Sequence, residues 1–246
     1  MQVMMAESAG FCYGVKRAVD MARETAKKCR HSVMLGSIIH NANVVAELEA
    51  LGMRKVDSWD QVRPGETVVI RSHGERKEVF ERLEAMGAAC VNATCPNVLR
   101  IQQLVEKAQE EGRTPLIIGE MHHPEVLGAA SWSERSVILP GPRELENWLN
   151  EEPSRRNMPL TATAQTTCVQ GIWESSKEIL KKQCTNAKIF DTICNATHRR
   201  QTEAAELAAQ VDVMVVVGDR KSANTKHLAE ICREKCGRVV QIERAG

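Results

Sequence analysis

The sequence predicts an α/β protein of three small lobes with mostly parallel sheets in a pseudo-threefold arrangement. Three observations predict it. Short apolar runs such as VVIR, PLIIG and VMVVVG alternate with helical patterns along the whole chain. Strand–helix alternation of that kind forces parallel pairing through helical crossovers. The runs are continuously apolar, as in strands covered on both faces. A coarse strand–helix repeat also recurs three times, and 246 residues leave room for two or three small domains.

Taken in order, strands are expected at Val3–Ala6, Val33–Ile39, Thr67–Ile70, Ala89–Val91, Leu116–Ile118, Ser136–Leu139, Leu160–Thr163, Lys188–Phe190, Val213–Val217 and Arg238–Ile242. Each is a short run rich in aliphatic and β-branched residues. Between them, apolar residues three and four apart predict helices over Val15–Lys28, Val44–Leu51, Glu75–Met86, Val98–Glu111, Arg143–Leu149, Gly171–Lys182, Arg199–Ala209 and Thr225–Cys236. Asn150–Pro159 is polar with two prolines and reads as a surface loop. The lobes are expected at 1–95, 96–193 and 194–246, with the strand over Val3–Ala6 available to the third. By the repeat's own logic the third lobe is incomplete at Gly246.

Composition narrows the function. Hydrophobic residues make up 43% and aromatics 3%, so Ala, Val, Leu and Met must fill the core and base-stacking surfaces are not expected. A formal net charge of +1 without a basic block argues against nucleic-acid binding. No stretch reads as a signal peptide or a membrane span, so a cytoplasmic protein is expected. Nine cysteines then point to metal or redox use rather than disulfides, although no CxxC occurs.

Three of the nine share one setting. Cys12, Cys95 and Cys194 each follow a short apolar stretch and a turn, and each opens an amphipathic helix. Counting from each cysteine, the third residue is Val15, Val98 or Thr197 and the tenth is Ala22, Val105 or Ala204, so thiol and buried stripe keep one register. Helix N-termini favour thiolates. Read alone, each is an ordinary buried thiol; read together, they can converge on one iron–sulfur cluster and leave one iron open for substrate. Cys29, Cys90, Cys168, Cys184, Cys232 and Cys236 lack the setting and read as core or surface thiols, Cys232 and Cys236 also as a weak metal pair.

Histidines follow three of the strands. His40, His73 and His123 stand just past carboxyl ends, where open α/β sheets bind ligands, and together predict an anion pocket. His31, His198 and His227 read as solvated, and His122 as a turn residue. Glu125 at a helix start is either favourable dipole chemistry or a proton donor. Thr166, in Gln165-Thr166-Thr167, is either a helix cap or a hydroxyl that orients a substrate oxygen. Ser222 and Asn224 open a helix after VMVVVGDRK and suit a phosphate cradle, without Walker spacing.

The segments GFCYGVKRA, HNANVV, SHG, ATCPNV, HHPEVLG, AQTT, DTICNATHRRQ and VVGDRKSANT, in this order and spacing, resemble the 4-hydroxy-3-methylbut-2-enyl diphosphate reductase family. The resemblance implies three α/β lobes around a central 4Fe-4S cluster, with Cys12, Cys95 and Cys194 as ligands. It implies His40, His73, His123, Ser222 and Asn224 as diphosphate contacts, and Glu125 as proton-relay acid with His123 beside it. Thr166 would place the substrate alcohol or the relay water, with Thr167 and Thr197 as neighbours. The reaction implied is reductive dehydroxylation of the allylic diphosphate to isopentenyl and dimethylallyl diphosphate, fed by a ferredoxin or flavodoxin. Two departures stand out. Ala223 occupies a position where many relatives carry a second serine, and a tail with a glycine- and serine-containing loop has no counterpart here. A metal-binding but catalytically incomplete relative and a Cys/His zinc hydrolase are the competing expectations.

Overall fold

The computed structural model describes residues 2–243. Two four-stranded sheets are wound identically. The first has strand order β2-β1-β3-β4, from β1 (Ser32–Leu35), β2 (Arg54–Val56), β3 (Thr67–Ile70) and β4 (Ala89–Asn92). The second has order β6-β5-β7-β8, from β5 (Thr114–Ile118), β6 (Val137–Leu139), β7 (Leu160–Ala164) and β8 (Ala187–Ile189). A third sheet holds β9 (Met214–Val217) and β10 (Val239–Ile242), and all ladders are parallel. In each large sheet the winding reverses between the two central strands, β1 and β3 or β5 and β7. That reversal opens a crevice at the strands' carboxyl ends.

Nine helices are described: α1 (Tyr13–Lys28), α2 (Ala42–Ala50), α3 (Lys77–Ala85), α4 (Pro96–Glu110), α5 (Pro124–Ala130), α6 (Pro142–Glu151), α7 (Gln170–Gln183), α8 (Asn195–Ala208) and α9 (Ala223–Arg233). Helix α1 shows how the apolar stripe docks. Ala18, Val19 and Ala22 are buried against Met34, Ile38 and Val69, small residues that let helix and sheet approach closely. Trp173 of α7 fills the second core beside Leu116, Leu160 and Leu180, and its Nε1 donates to Asp191 at 2.7 Å. Helix α4 ends on Gly112 at φ 67°, with Arg113 N bonded back to Ala108 O; α3 ends alike on Gly87, and both turns lead into strands.

Several expectations need correction. Residues 3–6 have no ladder partner among the described residues, and Val3, Met4 and Met5 are exposed. The chain there is held instead through Glu7 and Ser8, whose amides donate to Glu203 of α8. The run Val33–Ile39 leaves its strand at Leu35; Ile38 and Ile39 are buried in a turn, so burial rather than pairing explains their apolarity. The run VMVVVG is not covered on both faces. Val216 is buried, but Val215 is 51% and Val217 63% exposed, because α8 and α9 cover one side of a two-stranded sheet. Strand β2 was not expected, and α5 was expected only as a helical start at Glu125, without bounds. The first is an edge strand spelled RKV, charged as edges often are. The second has seven residues, too few for a helical period to show. Within Asn150–Pro159, residues Pro153–Asn157 form a 3-10 turn.

Candidate active site

The carboxyl ends of the central strands carry the chemistry. Strand β1 leads to His40, β3 to His73, β5 to His123 and Glu125, and β7 to Thr166. The three rings meet: centroids of His40 and His73 lie 4.4 Å apart, His73 and His123 5.7 Å, His40 and His123 6.2 Å. His123 caps α5, its Nδ1 accepting from Glu125 N at 3.1 Å, which leaves the proton on Nε2. His40 Nε2 and His73 Nδ1 are buried with no hydrogen-bond partner among the described residues. An orphaned buried polar atom costs about 1–3 kcal/mol, so the pocket stores a demand for a polar ligand, one with acceptor atoms where the orphaned nitrogen carries the ring proton. Burial holds all three rings below the usual imidazole range: His123 at about 4, His73 well down, His40 to a lesser extent. Mutual repulsion and the Arg71 guanidinium push the same way. Arg71 is itself pinned, Nη2 to Glu75 Oε2 at 2.8 Å and Nε to Gly74 O at 3.3 Å. The rings are therefore neutral, with a pinned cation near enough to act on them.

Glu125 stands beside them, 3% exposed. Thr166 N donates to its Oε1 at 2.6 Å and Thr166 Oγ1 to its Oε2 at 2.8 Å. Burial nevertheless raises its pKa to about 7, outweighing the two bonds from Thr166. A carboxyl in that range can give or take a proton near neutrality. Once protonated on Oε2 it donates to Thr166 Oγ1, and the threonine hydroxyl is then free to hand its own proton on.

Cys12, Cys95 and Cys194 are the N-caps of α1, α4 and α8. Cys12 and Cys194 lie close enough for their charges to act on Cys95. A β-carbon on Gly14 would lie 2.5 Å from Cys95 Sγ, so the first turn of α1 is bared for that sulfur. Cys194 N donates to Thr166 O at 3.1 Å, and Cys194 Sγ lies 3.1 Å from Thr197 Oγ1. The helix N-termini do not free the thiolate at Cys95. Burial, then the two neighbouring sulfurs, push this thiol up against the amides of Asn97 and Val98. Among the described residues no three His, Cys, Asp or Glu side chains close on a single ion.

The third sheet contributes the Ser222–Thr225 turn at the start of α9. Ser222 Oγ accepts from Thr225 N at 3.3 Å and keeps its hydroxyl proton to donate. Asp219 and Lys221 act on the charge of His40, which brings this turn to the histidines. His227 is not solvated: it is 8% exposed, with Nδ1 2.7 Å from Thr167 O and Nε2 3.2 Å from Glu120 Oε1. Sequence reading also missed Arg71, Glu120 and Gln165. Arg71 adjoins Ser72-His73-Gly74 and Gln165 adjoins Thr166 within AQTT, signals that could have found them; Glu120 carries none. Cys232 and Cys236 are core residues of the third unit. No described helix is long and apolar enough to cross a membrane.

Comparison with known proteins agrees along the whole chain. The family model described as LytB protein matches residues 3–246. A 4-hydroxy-3-methylbut-2-enyl diphosphate reductase of Caldanaerobacter subterraneus subsp. tengcongensis is 39% identical over 253 residues, covering 100% of this chain and 85% of that protein. A solved structure of (E)-4-hydroxy-3-methyl-but-2-enyl diphosphate reductase superposes with a TM-score of 0.72 at 34% identity, covering 98% of this chain and 85% of that one. That of the E-1-hydroxy-2-methyl-but-2-enyl-4-diphosphate reductase from Plasmodium falciparum gives 0.87 at 25% identity, covering 95% and 74%.

Proposed function

The chain belongs to the LytB protein family, and from that premise we propose that it reduces (E)-4-hydroxy-3-methylbut-2-enyl diphosphate to isopentenyl and dimethylallyl diphosphate. The carrying observation is the histidine triad, neutral rings with two orphaned nitrogens beside a buried carboxyl of pKa about 7. Substrate alcohol, two electrons and two protons give the alkene and water. His40, His73 and His123, with Ser222 and Asn224 across the crevice, bind the diphosphate; neutral imidazoles donate to its oxygens while Arg71 offsets its charge. That binding energy is spent on orientation rather than chemistry. Glu125, through Thr166, delivers the proton that turns a poor hydroxide leaving group into water.

Cys12, Cys95 and Cys194 would hold a 4Fe-4S cluster. The fit is supported by three cysteines that each cap a helix, two of them near enough to act on the charge of the third, and by a glycine that makes room for one sulfur. Such a cluster supplies electrons and a Lewis-acidic iron for the alcohol oxygen. Residues 1–95, 96–193 and 194–246 then read as the three lobes around it, and a small protein of the ferredoxin or flavodoxin kind as electron donor, in the cytoplasm.

The test is anaerobic iron and sulfide quantification followed by turnover with a reduced dye. Cys12→Ser, Cys95→Ser or Cys194→Ser should abolish iron retention while Cys232→Ser leaves it intact. Glu125→Gln should keep iron yet cut turnover by about a hundredfold or more. Zinc without sulfide in the wild-type chain would point to the hydrolase reading instead, and iron without turnover to a catalytically incomplete relative.

A further inference from the structure

We propose that Glu120 and His227 are positioning residues that hold the Ser222–Thr225 turn over the histidine pocket, a role that rests on the diphosphate reading of that pocket. The observation is a chain of three hydrogen bonds whose ends are joined by one ion-pair contact. Glu120 N donates to Gln165 Oε1 at 2.9 Å, and Gln165 Nε2 donates to Thr167 Oγ1 at 3.0 Å. Thr167 O lies 2.7 Å from His227 Nδ1, and His227 Nε2 lies 3.2 Å from Glu120 Oε1, an ion-pair contact that closes the circuit when both ring nitrogens carry a proton. A carbonyl oxygen only accepts, so Nδ1 carries the proton of that bond. The ring is sheltered: Gln165 is 1% and His227 8% exposed.

Its place in the fold gives it the role. Among the described residues, the hydrogen bonds and ion pairs joining residues 211–243 to residues 2–193 all run from Lys226 or His227, to Glu120 or Thr167. Strands β9 and β10 and helix α9 pack chiefly on one another and on α8. The third unit is thus fastened across the crevice at one point. On the far side, Thr167 directly follows Thr166, the partner of Glu125. On the near side, His227 lies little more than one turn along α9 from its cap, Ser222. A helix transmits displacement rigidly over that span, so loosening the ring swings Ser222 and Asn224 away from His40 without touching the Glu125–Thr166 pair.

The test measures inorganic diphosphate binding by calorimetry on the full cluster-free chain, then KM and kcat on the reconstituted enzyme. Glu120→Ala and His227→Ala should each raise Kd and KM by about tenfold or more, with kcat held within about threefold. The double variant should be no worse than either single one, as for two halves of one contact. Glu120→Gln, which still offers a hydrogen-bonding group to Nε2, should stay near wild type. Unchanged Kd in Glu120→Ala, additive losses in the double variant, or a fall in kcat at constant KM would each overturn the proposal. Should the alanine variants melt early, Glu120→Gln against Glu120→Asp makes the same comparison with the shorter acid as the loosened form; equal Kd values there also refute it. A chain whose diphosphate affinity depends on the ring but which never reduces the allylic substrate would sink the functional reading and leave the positioning role standing.

Discussion

Replacing Glu125 by glutamine tests the electrostatics of the site without any cluster present. In the folded chain burial raises this carboxyl from 4.5 to about 7. A rise of about two and a half pH units, at ~1.4 kcal/mol per unit, corresponds to about 3 kcal/mol. The folded state binds the proton more tightly than the unfolded one, so the stabilisation is fully present below pH 4.5 and is lost as pH rises through about 7. Glutamine keeps the shape and the backbone amide that caps onto His123 Nδ1, but does not titrate. Urea unfolding of both proteins, cluster-free and reduced, at intervals from pH 4.5 to 8 gives the comparison. The histidines lose their own contribution as pH falls, because their folded pKa values are depressed, and that loss is common to both chains. Wild-type stability minus variant stability should therefore decline by about 3 kcal/mol across the range. Curves that stay parallel to within about 1 kcal/mol would mean that the carboxylate is solvated or paired, and the account of Glu125 as an acid near neutrality would fall.

Two further outcomes follow from packing. Gly14→Ala puts a methyl 2.5 Å from Cys95 Sγ, so the sulfur must move; iron and sulfide retained after reconstitution should drop and stability fall by about 1–3 kcal/mol, and full retention would show that the thiol has slack. Trp173→Ala empties the middle of the second core and strips Asp191 of its indole donor; urea unfolding should show a loss of about 3–5 kcal/mol, and a loss under 1 kcal/mol would mean that the cavity collapses.

What could be read in the sequence was whatever local chemistry writes into neighbouring positions. The helical register that follows Cys12, Cys95 and Cys194 is a short-range pattern, and all three are helix caps. The histidines after β1, β3 and β5 were legible because strand ends are marked by apolar runs, and the rings do meet. The misses are long-range or below the length at which periodicity speaks. Strand β2 is three residues of an edge, and α5, of which only the start was legible, is seven residues around Gly128, where the backbone of Glu75 approaches closely. His227 looked solvated because its partners, Glu120 and Thr167, are distant in the chain and only folding brings them to it. The exposed face of β9 was hidden for the opposite reason: VMVVVG is apolar throughout, and hydrophobicity alone does not say how many layers will cover a strand.

The turns at Gly87 and Gly112 sit at the amino-terminal rim of their sheets, where a β-carbon would meet nothing within 4 Å. Every candidate catalytic side chain described above hangs from the other rim or from a helix cap. The molecule therefore has a working side and a handling side. A tether placed on the exposed rim at Gly87 lies across the sheet from the reacting crevice, whereas beside Gly112 the buried Arg113, bonded to Thr161, Leu160 and Asn186, leaves less freedom.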